Sequence, residues 1–213
     1  MLLGATLIGI LVATLVTRAT TPRARRSPMA RQAPLRELLR RGGEALPTYG
    51  AAPAFTLTDH HNNTLTREQL FGHVWIADFI FTRCAGQCPM MTSQMALLQR
   101  ELPQAVRLIS VSVDPSHDTP TVLAAYAARS DAREGWLFAT GEPSAVTTLV
   151  REGFHLAVED QADVTQEPIL HSVRLVLVDQ QGMIRGYYDS TDPEAIARLQ
   201  LDAHALIQAD PAS

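Results

Sequence analysis

Two apolar runs, His73–Phe81 (HVWIADFIF) and Val106–Val113 (VRLISVSV), constrain the fold of this chain more than any other feature. Both are rich in β-branched and aromatic residues and neither alternates cleanly with polar ones, the pattern of strands covered on both faces. Between them, from Pro89 to Leu102, the residues Met91, Met95, Leu98 and Leu102 recur at helical spacing, and Pro89 suits a first turn. Strand, helix and strand in that order make a crossover unit, which belongs to a sheet with helices packed on it.

The remaining segments extend this unit at both ends. Ala54–Thr58 alternates like a strand and runs into the turn-rich HHNN, and Thr66–Leu70 reads as a short helical turn. After the loop DPSHDTP, Asp118 and Pro120 signal the start of a helix reaching about Arg129. Trp136–Thr140 reads as a short strand, Pro143–Gly153 as a helix, and residues 155–170 as irregular and acidic. Ser172–Val178 and Met183–Tyr188 form a hairpin around Asp179-Gln180-Gln181-Gly182, and Asp192-Pro193 opens a last helix to about Gln208. The predicted class is α/β: a thioredoxin-like mixed β-sheet flanked by helices, with an N-terminal β extension and an N-terminal membrane segment.

Charge divides the chain unevenly. All 18 basic residues are arginine; residues 1–41 hold eight of them and one acid, Glu37, whereas residues 42–213 hold ten against 21 acids. The sequence pI of about 5.9 excludes a general nucleic-acid binder. Met1–Thr17 is uncharged and just long enough to span a bilayer, which needs roughly 17 residues at least. No basic residue precedes it and Val16-Thr17-Arg18-Ala19 is a poor cleavage site, so residues 1–17 are expected to be a transmembrane anchor or uncleaved signal. Residues 18–50, with four prolines and three glycines, read as an Arg/Pro-rich linker, and residues 51–213 as the folded domain. The arginines after the span would by themselves hold that domain in the cytoplasm.

The chain has two cysteines, Cys84 and Cys88, at the junction of a buried strand and a helix. As a structural disulfide the pair closes so short a loop that chain entropy yields only about 2 kcal/mol. At a helix N-terminus, however, the peptide dipoles stabilise thiolate. Two thiolates four residues apart can close a disulfide or clasp a soft metal ion such as Cu(I), with an imidazole extending the set to Cu(II) or zinc. Seven histidines are available as a third ligand. His60-His61 sit in a polar turn and His204 on a late helix, where solvation is the plain expectation. His117 lies in the loop after the second buried strand, on the edge where such loops gather, together with Asp114. His171 directly precedes SVRLVLV; if that strand runs antiparallel to the one before Cys84, its start lies on the cysteine edge. Met90, Met91 and Met95 could offer thioethers, but their spacing fits core packing better.

Taken together, APAFTLTD, VWIADFIFTRCAGQCPMM, VSVDPSHDTP and LHSVRLVLVDQQGMIRGYY resemble the Sco/SenC family over roughly residues 50–208. The resemblance implies a membrane-anchored thioredoxin-fold protein that binds copper through Cys84, Cys88 and His171, with Asp114 as an acid beside the ligands. It implies a metallochaperone for the binuclear copper site of cytochrome c oxidase, whose partner is the oxidase's copper-binding subunit or another copper carrier. It also places the domain on the periplasmic or outer side of a bacterial inner membrane, against the arginine pattern. One departure is Ala85, followed by Gly86, where the family often has proline after the first cysteine. The competing expectation is a thiol–disulfide oxidoreductase reducing an oxidase subunit, with Cys84 and Cys88 as the redox-active pair. A peroxide-reducing thiol enzyme fits poorly, because Thr82 stands only two residues before Cys84, and a catalytic zinc site lacks an evident general base.

Overall fold

The computed structural model describes residues 46–156 and 173–209; the apolar run Met1–Thr17, most of the expected linker, the acidic segment from 157 onward and His171 lie outside the described residues. Eight strands form one sheet: β1 (Gly50–Ala51), β2 (Thr56–Asp59), β3 (Thr64–Thr66), β4 (Trp75–Ile80), β5 (Arg107–Ser112), β6 (Trp136–Thr140), β7 (Arg174–Val178) and β8 (Met183–Asp189). A 3-10 turn covers Arg67–Leu70, and four α-helices follow: α1 (Cys88–Glu101), α2 (Pro120–Arg129), α3 (Pro143–Thr148) and α4 (Pro193–Gln208). The strand order is β1-β8-β7-β4-β5-β6-β2-β3.

β4 is central because all six of its residues are buried, as the unbroken apolar run requires. It pairs in parallel with β5, which pairs in parallel with β6. On its other side it pairs antiparallel with β7, Trp75 opposite Val178 and Ala77 opposite Val176. The start of β7 therefore lies at the end of β4 that leads to the cysteines, as expected. Alternate residues of β4 feed two cores. Ile76 and Ile80 pack with Met91, Met95 and Leu98 of α1, Leu123 of α2 and Leu199 of α4. Trp75, Ala77 and Phe79 pack on the opposite face with Leu57, Leu65, Val146 and Phe154. Helices cover both faces of a mixed sheet, the thioredoxin-like arrangement the strand order predicts.

Three local readings change. The helix expected over Pro143–Gly153 is α-helical only to Thr148 and continues as a π-type turn, Leu149–Gly153. Such a turn re-aims the side chains after it, and Phe154 reaches the sheet with its ring 5.2 Å from Phe79. Asp118 does not cap α2; Thr119 does, accepting the Val122 N–H. At the amino-terminal side the chain already joins the fold at Leu46, ahead of the expected boundary. The Arg185 guanidinium, paired with Asp179 at 2.7 Å, donates to the carbonyls of Pro47 (3.0 Å) and Leu46 (2.6 Å). No composition rule reveals such a contact across some 139 residues of chain.

Candidate metal centre

The two cysteines sit where β4 leaves the sheet. After Ile80 the chain turns, with the Cys84 N–H donating to Phe81 C=O at 3.2 Å. Residues Ala85, Gly86 and Gln87 are exposed, and Cys88 opens α1 with Pro89 in its first turn. Cys88 is buried and packs with the α1 core; Cys84 is half-buried at its margin. Both thiols are free, and each affects the ionisation of the other.

The two sulfurs differ electrostatically. Burial works against ionising Cys84, but the amide N–H groups of Cys88, Gly86 and Gln87 and the Cys88 thiol outweigh it, so its pKa falls below the ordinary thiol value. Burial pushes Cys88 up to about 12, and the negative charge of Cys84 and of Asp78 adds to the rise. Cys84 is thus the more acidic thiol of the pair and Cys88 the less acidic. Iodoacetamide should therefore alkylate Cys84 at least tenfold faster than Cys88 at pH 7, read by mass spectrometry of the labelled peptides. Equal rates would contradict this asymmetry.

A second loop braces this one. Asp118, fully buried, accepts the Thr82 N–H (2.9 Å), the Thr82 hydroxyl (2.5 Å) and the Ser112 hydroxyl (2.6 Å). Asp114 accepts Arg83 through Nε (3.0 Å) and Nη2 (2.5 Å), and the Ser116 hydroxyl at 3.1 Å. The loops after β4 and β5 thus meet at one sheet edge, and Asp114 stands beside the pair, engaged by the residue that precedes Cys84. His117 is on the same loop and exposed.

The other histidines separate clearly. His60 is not simply solvated: its Nδ1 accepts the Phe138 N–H at 3.2 Å and its ring packs edge-on to Phe138. Its pKa is lowered, first by burial and then by neighbouring His61. With Nδ1 occupied by that bond, the neutral ring carries its proton on Nε2 and is a poor ligand. His73 precedes β4, at the far end from the cysteines, and His204 is exposed on α4. Among the described residues no three His, Cys, Asp or Glu side chains come close enough to hold a metal ion. Two cysteines alone are together, and His171 is outside the described residues. The described chain resumes at Val173, which packs against the same core as Cys84.

Two acids are not announced as site residues by the sequence. Asp118 reads there only as a helix signal. Asp78 is the lone acid in VWIADFIF; it is fully buried and neither carboxylate oxygen has a hydrogen-bond partner. Burial raises its pKa to about 7, with Ser110 across on β5 offsetting only part. The methionines split: Met91 and Met95 are core, whereas Met90 is 41% exposed.

A family model described as SCO1/SenC matches residues 44–205. The chain belongs to the SCO1/SenC family. It is 33% identical over 143 residues to the SCO1 protein homolog of Bacillus subtilis, covering 65% of this chain and 73% of that one. A Stutzerimonas stutzeri protein assigned to copper binding is 32% identical over 149 residues, 67% of this chain and 71% of its own. The fold matches BsSco, a member of the Sco family of cytochrome c oxidase assembly proteins in which a disulfide switch has been identified. There the TM-score is 0.67 at 28% identity, over 78% of this chain and all of that one. The thiol pair of this family member thus sits on the expected scaffold, at the carboxyl end of its central strand.

Proposed function

We propose that this protein is a copper metallochaperone that takes Cu(I) or Cu(II) on Cys84, Cys88 and His171 and delivers it to the binuclear copper site of cytochrome c oxidase. The observation that carries the reading is the pair of free, electrostatically coupled thiols brought together at the end of β4. Soft thiolates select Cu(I), and an imidazole lets the same site hold Cu(II). The antiparallel β4–β7 register supports His171 as the third ligand, because the described chain resumes two residues after it on the cysteine edge. A three-ligand site leaves a position for an incoming ligand, so transfer passes from donor set to donor set without free ion. The receiving partner is the copper-binding subunit of the oxidase or another copper carrier. The uncharged run Met1–Thr17 supports an inner-membrane anchor, and the family resemblance, against the arginines that follow the run, supports a domain on the outer side. No helix among the described residues is long and apolar enough to cross a membrane.

The test is an anaerobic Cu(I) titration of the reduced full chain against a competing chelator, beside His171→Ala. One tightly held Cu(I) per chain, weakened at least tenfold in the variant, is the expected result. Weak binding indifferent to His171, with the dithiol still reducing a partner disulfide, would assign the site to thiol exchange instead.

A further inference from the structure

The loop that presents Cys84 has no regular structure of its own between Ile80 and Cys88. Cys88 is fixed by α1, whereas Cys84 depends on whatever holds Thr82 and Arg83. Both residues are held by carboxylates from a single loop, 114–118. Asp114 grips Arg83 at the surface, where the arginine side chain is 61% exposed. Asp118 grips Thr82 from inside, with no exposure to solvent, and takes three donors on its two oxygens. Ser112 closes the network: its hydroxyl donates to Asp118 and accepts the Asp114 N–H at 3.1 Å. Every donor that Asp118 receives comes from the end of β5 or from the Cys84 loop, and none comes from the helix it precedes.

We propose that Asp118 is the positioning residue of the thiol pair, clamping the Cys84 loop to the end of β5 so that the Cys84 sulfur is held at a fixed place relative to Cys88. Three hydrogen bonds to a buried carboxylate are charge-assisted and directional, the kind that fix a loop rather than merely cover it. Residues that orient metal ligands in this way affect affinity by roughly 10–100-fold when removed. The same clamp acts on the disulfide, since closing and opening the pair requires Cys84 to approach Cys88 from the position Asp118 allows. The first effect rests on the copper-binding reading above; the second does not.

The experiment compares the full-length protein with Asp118→Ala, Asp118→Asn and Asp59→Ala. Asp59 is a matched control: a buried carboxylate that accepts the N–H groups of His61 and Asn63 in the β2–β3 turn, away from the thiols. Three quantities are read: Cu(I) affinity by chelator competition, the electron paramagnetic resonance and charge-transfer spectra of the Cu(II) form, and the dithiol–disulfide equilibrium against glutathione. Asp118→Ala is expected to weaken Cu(I) at least tenfold, to alter the Cu(II) spectra, and to move the thiol equilibrium about tenfold, or 30 mV. Asp118→Asn, which keeps an acceptor for the Thr82 N–H, should recover most of each change. Asp59→Ala should lower the melting temperature and leave all three alone. If Asp118→Ala does not fold, Thr82→Val, which removes one hydroxyl bond, takes its place with changes of the same sign. Wild-type affinity, spectra and thiol equilibrium in a folded Asp118→Ala or Thr82→Val protein would overturn the proposal. A wild-type chain that fails to hold copper, while the thiol equilibrium still moves with Asp118, would overturn the copper reading and leave the clamp standing.

Discussion

Asp78→Asn is expected to make the protein more stable at pH 8 by about 1–3 kcal/mol, and to flatten the dependence of its stability on pH. The carboxyl is fully buried in β4 with both oxygens unpartnered, and its pKa rises from 3.8 to about 7 on folding. A raised carboxyl pKa means that the folded state holds a proton which the unfolded state has lost between those values. Stability then falls as pH rises from about 4 to 7, and is level above that. A shift of this size corresponds to about 4 kcal/mol. Asparagine keeps the shape and removes the charge, but leaves a buried amide whose unmet bonds cost about 1–3 kcal/mol. The net gain is therefore smaller than the full linkage energy. Urea unfolding of both proteins at pH 5 and pH 8 reads it directly, and equal stability at pH 8 with equal slopes between the two would refute it.

Cys88→Ser is expected to lower Cu(I) affinity by on the order of a hundredfold or more while leaving the domain folded. Four-ligand structural zinc sites bind with about 10–16 kcal/mol, so one ligand accounts for roughly 3 kcal/mol or more, a factor of about a hundred. A serine hydroxyl is a hard, weak donor for Cu(I) and does not replace the thiolate. It does replace the thiol in volume, and the buried position beside Met91 is otherwise unchanged, so thermal unfolding should shift only modestly. Chelator competition measures the first effect and calorimetry the second. Retained affinity in a folded variant would remove Cys88 from the ligand set.

These expectations draw unequally on what the residues announce by themselves. The central strand is legible in HVWIADFIF because burial on both faces leaves no room for alternation, and β4 is buried at every position. The thiol site is legible because strand end, spacing and helix start all fall within CAGQCPMM. The rest of the domain is legible from its own residues, and the closing hairpin already suggests an antiparallel β7 before any family likeness enters. What stayed hidden depends on contacts made across the chain. Asp118 reads locally as a helix signal, and only the folded loops bring Thr82 within its reach. His60 reads as a solvated turn residue, and only β6 supplies the Phe138 N–H that occupies its Nδ1. Asp78 was visible as one acid in an apolar run, a signal whose meaning depends on whether the opposite strand answers it. Ser110, opposite it on β5, answers only in part: it offsets some of the rise that burial imposes, while its hydroxyl also accepts the Trp136 indole N–H at 2.9 Å.

Among the described residues the sheet ends on both sides in stubs, two residues in β1 and three in β3. A sheet's outermost strand is where a neighbour's backbone can add itself, and the opportunity grows with the length of unpaired chain on offer. Here eight strands terminate in almost none. Copies of this domain brought close together would find little edge to zip onto among the described strands. The brevity of the outer strands leaves little backbone on which such pairing could be built.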